Sequence, residues 1–439
     1  MEATPLAELY RRYQRHPRVR IDSRRVEPGD LFVGLAGTRV HGNEHASNAL
    51  ERGAAYALVD DAKFVVEGDD RYLLVEDTLE ALQQLAREHR RRFTGPVLAI
   101  TGSNGKTTTK ELVRDVMASQ YKVHATPGNY NNHIGLPLTI LGMSPDVDFL
   151  LLEMGANHQG EIAELCTIGM PTHGLITNIG EAHLEGFGGK EGVIAGKGEL
   201  FDYLATHRGI AFVNADEEHL SGMVTDQQRV IYFRESEAPT PEVSELEIKC
   251  TQVHPTIEVS FLSDGFPLHD VEVQLSGRHN LQNVKAAVAV GKYFKVPGAA
   301  IARSLAAYRS ENQRSQQLTH RGVDFYWDAY NANPSSVLAA LEGFAAEHAP
   351  EDVVIILGEM LELGEAAAAA HRRVVLRAGQ VGRTVLLVGA EMRAVAEEFG
   401  RPWFADSQAL AEYFWGREWG ERTVFVKGSR GNRLEGLLG

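Results

Sequence analysis

The sequence predicts an α/β protein of three domains: a small α/β N-terminal domain, a central doubly wound domain of the P-loop, mononucleotide-binding kind, and a C-terminal Rossmann-like domain. Three observations predict it. Val97–Thr101 is an apolar, β-prone run that opens into Gly102-Ser103-Asn104-Gly105-Lys106-Thr107, followed by a helical pattern with Leu112, Val113, Val116 and Met117 on one side. Apolar runs alternate with helical periodicity both before and after residue 310. Gly95-Pro96 punctuates the chain ahead of the first buried-strand pattern. The expected boundaries are residues 1–93, 94–309 and 310–439, within the two to four domains that 439 residues accommodate.

In the first domain, short strands are expected at Leu31–Leu35, Tyr56–Val59 and Tyr72–Val75, with a helix near His45–Gly53. Thr78–Phe93 carries Leu79, Leu82 and Leu85 at helical spacing, Asp77 or Thr78 as a cap, and Arg90-Arg91-Arg92 at the end where the helix dipole favours cations. Asp22–Asp30 is a polar loop with Ser23 and Arg24. It suits a diphosphate or a uracil edge, and equally a solvated turn with surface arginines.

The central stretch Thr101–Thr109 fits a phosphate-binding loop. Gly102 and Gly105 let the backbone curl so that several N–H groups, with those of Ser103, Asn104 and Thr108, point at one anion. The helix N-terminus adds its dipole. Lys106 reaches the β- and γ-phosphates in such loops, and the Thr107 hydroxyl ligates Mg²⁺. Ile100 stands where the longer form of the pattern has glycine. Phe149–Leu152 reads as a buried parallel strand ending in Glu153, and Gly174–Thr177 as another, leading to Asn178-Ile179-Gly180-Glu181-Ala182-His183. Ligands of open α/β sheets sit beyond strand C-termini, which places Glu153 and His183 near the loop. Ahead of both, Gly128–Gly135 carries Asn129, Asn131 and Asn132, a density of amides that suits a binding loop. Lys197 lies between Gly196 and Gly198, either close to a site or on a helix surface. Thr256–Phe261 and Val271–Leu275 read as an antiparallel edge hairpin, and Gly277-Arg278-His279-Asn280 precedes a helix over Leu281–Phe294.

In the third domain, strands are expected at Val323–Trp327, Val353–Leu357, Thr384–Val388 and Thr423–Val426, with an alanine-rich helix at Glu365–Arg373. Asp328–Pro334, Leu357–Gly364 and Val426–Arg430 are loops that follow three of these apolar runs.

The formal charge of −15 argues against nucleic acid as a general partner. Cys166 and Cys250 lack metal-ligand spacing. The N-terminus has no basic segment followed by an apolar one, and no apolar run is long enough to cross a bilayer, so a cytoplasmic protein without membrane insertion is expected.

Taken in order, Asp22–Asp30, Thr101–Thr109, Gly128–Thr139, Glu153–Gly155, Gly160–Ile162, Thr177–Gly188, Lys197–Glu199, Gly277–Asn280, Asp328–Pro334, Leu357–Gly364 and Lys427–Arg430 resemble the motifs of the Mur ligases. The Asp328–Pro334 and Met360–Gly364 loops resemble the member that adds a dipeptide. Where the family carries Gly-Arg ahead of the Asp-Ala-Tyr-Asn strand, this sequence has Gln313-Arg314.

The resemblance implies that ATP phosphorylates the terminal carboxylate of UDP-N-acetylmuramoyl-tripeptide and that the amine of D-alanyl-D-alanine attacks the acyl phosphate. It implies two Mg²⁺ ions, one held by Thr107 and Glu153 and one by His183 and Lys197, the latter as a carbamate. It further implies Lys106, Lys197, His183 and Glu153 as catalytic, and His279, Asn280, Arg314, Asp328 and Asn331 at ATP. Ser23 and Arg24 would meet the UDP end, and Asn129, Asn131 and Asn132 the muramoyl-peptide. Tyr330, Lys427, Ser429 and Arg430 would meet the dipeptide. A monomer is expected, with its hinge near residues 308–313. Two other readings are another amino-acid-adding ligase of the superfamily (tripeptide-forming or glutamate-adding), which the Asp328–Pro334 loop disfavours, and a non-catalytic nucleotide switch, which has no use for Glu153, His183 and Lys197 together.

Overall fold

The structure, a computed structural model, describes residues 3–37, 41–237, 245–262, 267–310 and 315–439. The first unit comprises α1 (Leu6–Arg15), β1 (Val19–Arg20), β2 (Leu31–Val33), α2 (Ala46–Glu51), β3 (Tyr56–Val59), β4 (Tyr72–Leu74) and α3 (Thr78–Arg91). Its four strands are parallel, in the order β1-β2-β3-β4. Asp77 is the cap of α3, accepting from the Glu80 N–H at 2.8 Å.

The central unit comprises β5 (Val97–Thr101), α4 (Lys106–Ala118), β6 (Val123–Ala125), α5 (Gly135–Leu141), β7 (Phe149–Glu153), α6 (Glu161–Gly169), β8 (His173–Ile176), α7 (Leu184–Phe187), α8 (Lys190–Thr206), β9 (Ile210–Asn214), β10 (Arg229–Glu235), β11 (Glu245–Gln252), β12 (Ile257–Leu262), β13 (Leu268–Val273), α9 (Arg278–Tyr293) and α10 (Gly298–Ala307). Among the described residues the strand order is β13-β12-β11-β10-β9-β8-β5-β7-β6. The chain therefore leaves β5 in both directions, to β7 and β6 on one side and to β8 and β9 on the other. That is a topological switch point, the crevice where open α/β sheets bind ligands. Residues 97–101 are all fully buried, because helices cover both faces of the sheet. One face packs on α5, α6 and α8, the other on α4, α9 and α10. Each fully buried aliphatic side chain there contributes about 1.5–3 kcal/mol.

The third unit comprises β14 (Gln316–His320), β15 (Val323–Asp328), α11 (Pro334–Glu347), β16 (Val353–Gly358), α12 (Ala367–Val381), β17 (Thr384–Val388), α13 (Arg393–Phe399), β18 (Trp403–Phe404), α14 (Ser407–Trp415) and β19 (Thr423–Lys427), in the sheet order β14-β15-β19-β16-β17-β18. All pairs are parallel except β14-β15.

Several expectations shift. The helix expected at Leu281–Phe294 begins three residues earlier, so Gly277 is its N-cap and Asn280 lies inside its first turn. The expected edge hairpin is the outer part of a longer extension, since β11 pairs antiparallel to β12 and parallel to β10. The alanine-rich helix runs to Val381, preceded by a 3₁₀ turn at Gly364–Ala366.

Candidate active site

The C-terminal ends of β5, β7 and β8 face those of β15 and β19 across a cleft of about 680 Å³. Ser103, Asn104, Gly105, Lys106, Thr107, Thr108, Asn129, Asn131, Asn132, Glu153, His183, His279, Asn280, Asp328, Tyr330, Asn331 and Lys427 all line it. Ser23, Arg24, Gly102, Lys197, Ser429 and Arg430 do not. Arg314 and Gln313 lie outside the described residues, as do residues 311–312 of the expected hinge.

The phosphate loop is bound tightly to the strand beside it. Gly102 (φ +138°) and Gly105 (φ +78°) adopt backbone that side chains rarely take. A Cβ at Gly102 would lie 2.0 Å from Thr177 Oγ1, and one at Gly105 would lie 2.4 Å from Asn283 Oδ1. Ser103 N–H donates to Asn178 O (3.0 Å) and Asn104 N–H to Asn178 Oδ1 (3.0 Å), while Thr177 Oγ1 donates to Asn104 O (2.6 Å). Ile100 sits in β5, fully buried, so the loop works without a glycine at that position. Lys106 folds back over the loop, donating to Gly102 O (2.6 Å) and Ser103 O (3.1 Å). An ammonium held over the N-terminus of α4 is poised for an anion that displaces those carbonyls.

Glu153, the last residue of β7, is 2% exposed. Its Oε2 accepts from Thr107 Oγ1 (3.0 Å) and pairs with Lys110 Nζ (3.3 Å), and its Oε1 accepts from Asn131 Nδ2 (2.7 Å). No group of three or more His, Cys, Asp or Glu side chains capable of holding a metal occurs among the described residues. A hydroxyl and one carboxylate in contact nevertheless fit Mg²⁺, which keeps waters and takes its remaining ligands from substrate phosphates. Asn132 is committed elsewhere: its Oδ1 accepts from the N–H groups of Ile134 (3.2 Å) and Gly135 (2.8 Å) at the start of α5.

His183 stands in the left-handed region (φ +54°), with its Nδ1 against Glu362 Oε2 of the third unit. Burial holds its imidazole below its ordinary value, the Lys106 and Lys197 charges add to this, and Glu362 opposes it. Lys197 is not a surface lysine. It is 1% exposed, donates to Ala156 O (3.1 Å) and lies 4.9 Å from the centre of the Phe187 ring. Burial, then the nearby Lys106 charge, drives its amine well below its ordinary value, against weaker opposition from Glu161 and Glu199. The shift is toward the neutral amine, the form that reacts with CO₂.

At the other end of the cleft, the Nδ1 of His279 is buried with no hydrogen-bond partner among the described residues. Burial lowers that ring to about 4, so it is neutral. An orphaned polar atom beside Asn280 fits the edge of a heterocyclic base. Asn280 Nδ2 donates to Ser276 O (2.9 Å).

On the third unit, Asp328 and Lys427 occupy paired positions of β15 and β19 and form a buried ion pair, Nζ to Oδ2 2.5 Å. Lys427 also donates to Asn331 O (3.4 Å). It thus braces the Asp328–Asn331 turn at the wall of the cleft. Ser429 Oγ accepts from Leu361 N–H (3.2 Å). Arg430 is exposed, 5.6 Å from the centre of the Tyr330 ring. In the first unit, Ser23 is buried, whereas the exposed Arg24 folds back on Asp22, whose carboxyl these bonds hold down at about 2. Asp30 is fully buried under Arg18 and Arg20, so this end of the loop is a structural anchor.

Sequence reasoning missed three residues. Lys110 sits in the first two turns of α4, where the dipole disfavours a cation, and that misfit could have marked it. Asn333 caps α11 through Ser336 N–H (2.9 Å) and donates across the cleft to Asn104 Oδ1 (2.7 Å). Its Asn-Pro dipeptide marks the helix start but not the bridge. Glu362 has no local mark.

A cleft between two α/β units, with a phosphate loop on one wall and a Rossmann-like unit opposite, and a further small α/β unit packed on the first of them, has the build of a multidomain ATP-dependent ligase. Family models match each unit: "Mur ligase family, catalytic domain" at residues 17–90, "Mur ligase middle domain" at 100–291 and "Mur ligase, glutamate ligase domain" at 313–430. The chain belongs to the Mur ligase family. It is 35% identical to the UDP-N-acetylmuramoyl-tripeptide–D-alanyl-D-alanine ligase of Escherichia coli over 96% of this chain and 92% of that one. It is 34% identical to the enzyme of the same name from Treponema pallidum, over 95% and 92%. A crystal structure of MurF from Acinetobacter baumannii superposes with a TM-score of 0.85 at 26% identity, covering 96% of this chain and 92% of that one. MurF ligase from Thermotoga maritima, in complex with ADP, gives 0.81 at 27% identity, covering 96% of each chain.

Proposed function

We propose that this chain joins D-alanyl-D-alanine to UDP-N-acetylmuramoyl-tripeptide at the expense of ATP, giving the UDP-linked pentapeptide precursor of peptidoglycan, ADP and phosphate. The observation that carries the reading is the bond from Asn333 to Asn104. It puts the Asp328–Pro334 turn of the third unit directly against the phosphate loop, so a nucleotide and an incoming amine meet in one cleft.

A carboxylate oxygen of the tripeptide attacks the γ-phosphorus and ADP leaves. The amine nitrogen then attacks the acyl carbon, loses a proton, and phosphate departs with the bonding pair. Two anions must approach each other in the first step, so the site must supply positive charge. Lys106 and the N-terminus of α4 do so from the protein. Mg²⁺ bound between Thr107 and Glu153 would neutralise the triphosphate further, and a second ion is assigned to His183 with Lys197 as a carbamate. The suppressed basicity of Lys197 supports that modification. His279 and Asn280 are assigned to the adenine, Asp328 and Asn331 to the nucleotide, and Asn129, Asn131 and Asn132 to the peptidyl substrate. Tyr330, Lys427, Ser429 and Arg430 are assigned to the dipeptide. Ser23 and Arg24 are assigned to the UDP end.

Residues 1–93 then bind the UDP substrate, 94–309 ATP, and 310–439 the dipeptide. In this reading the chain acts as a monomer. No described helix is long and apolar enough to cross a membrane, which accords with work in the cytoplasm. The test is phosphate release in the presence of ATP and UDP-tripeptide. Release that depends on D-alanyl-D-alanine and is not supported by glutamate or a diamino acid confirms the reading, and release driven by a single amino acid instead refutes it.

A further inference from the structure

His183 and Glu362 meet across the boundary between the central and third units, and both are non-glycine residues in the left-handed region, at φ +54° and +62°. Such backbone persists where surrounding structure over-determines it, and it clusters at functional sites. The anchoring of Glu362 is visible. Met360 and Leu363 on either side are buried. Met360 N–H donates to His371 Nε2 (2.8 Å), and Leu361 N–H to Ser429 Oγ (3.2 Å). Asn432 brackets Glu359, accepting from its N–H (3.1 Å) and donating to its carbonyl (2.9 Å). The loop thus holds a half-exposed carboxylate out from a fixed backbone, toward one nitrogen of one histidine.

We propose that Glu362 is the positioning residue of His183. Its carboxylate accepts the Nδ1 proton, which fixes the tautomer and rotation of the ring and leaves Nε2 as the basic nitrogen available to the cleft. A carboxylate behind a histidine is the arrangement that orients metal-ligating imidazoles and raises their basicity. Here the carboxylate comes from a different domain, so the histidine is oriented only when the third unit is docked. A second bridge two residues away, Arg373 to Glu181, and a third, Glu181 N–H to Ser335 Oγ (2.9 Å), fix the same segment against the same unit. The inference rests on the assignment of His183 to the second Mg²⁺.

The experiment uses the full chain and reads two quantities: the Mg²⁺ concentration at half-maximal rate with ATP, UDP-tripeptide and D-alanyl-D-alanine, and the ¹⁵N shifts of the His183 ring, assigned by its loss in His183→Gln. Glu362→Ala raises the Mg²⁺ midpoint by about tenfold or more, the scale for removing such a partner, and moves the ring away from the Nδ1-protonated form. Glu362→Gln, whose Oε1 can still accept the proton, recovers most of both. In the double variant with His183→Gln, Glu362→Ala adds no further shift of the midpoint. A wild-type midpoint and wild-type ring shifts in Glu362→Ala overturn the proposal alone. A wild-type midpoint in His183→Gln overturns the assignment of His183 to the ion, and this proposal with it.

Discussion

The first and third units are joined to the central one in opposite ways. Leu9, Tyr13, Leu58, Leu82 and Leu85 of the first unit belong to the same buried apolar cluster as Leu136, Ile140, Leu150 and Leu165 of the central unit. The two apolar clusters of the third unit contain third-unit residues alone. What crosses that boundary is polar: Asn104 with Asn333, Glu181 with Ser335 and Arg373, His183 with Glu362, and His254 and Ser276 with Glu347. Apolar burial cannot be replaced by water without loss, whereas polar bridges exchange for water bonds at small net cost. The first unit is therefore welded to the site and the third is docked on it. Tyr308, near the end of the central unit, is buried and bonded to Glu111 of α4 at 2.9 Å.

The central wall is complete within its own unit, so its loss should be felt with the third unit in place. Lys106→Ala is expected to lower turnover by more than ~100-fold, the scale for one transition-state charge contact, with the thermal unfolding transition unchanged. Near-normal turnover would remove the phosphate loop from the chemistry. Lys197→Ala should lose most activity and regain part of it with acetate. Lys197→Arg should stay inactive, because it keeps a charge of the wrong sign. Acetate should do nothing for Lys106→Ala, and full activity of Lys197→Ala without added carboxylate would make this lysine a packing residue only.

The two junctions can be compared directly by denaturation. Leu82→Ala, in the shared core, is expected to cost about 2–5 kcal/mol and to shift the unfolding of the first and central units together. Arg373→Ala, in a half-exposed bridge of the docked junction, is expected to cost under ~1 kcal/mol, yet to raise the KM for D-alanyl-D-alanine. Equal losses of stability would erase the distinction between weld and dock.

What was legible in the sequence follows the same division. The phosphate loop, Glu153 and His183 were readable because each sits where an apolar strand ends, a local pattern. Gly102 and Gly105 announced positive φ, and Ile100, where the longer pattern has glycine, belongs to the strand. The burial of Lys197 was not readable, since only the packing of Phe187 and Ala156 around α8 decides it. The pairing of Lys427 with Asp328 was not readable, because it depends on the alignment of strands about 100 residues apart. β14, Gln-Gln-Leu-Thr-His, is a polar edge strand with no apolar face to betray it. The bridges that Asn333 and Glu362 make across the docked boundary are encoded by no local pattern.

Small-angle scattering tests most directly whether the reaction depends on two walls brought together. With ligand-free protein, and then with a non-hydrolysable ATP analogue and UDP-tripeptide, the radius of gyration should fall and the liganded curve should match the docked arrangement described here. Identical curves in the two states would contradict closure of the third unit on binding the ligands and leave the polar boundary without its function.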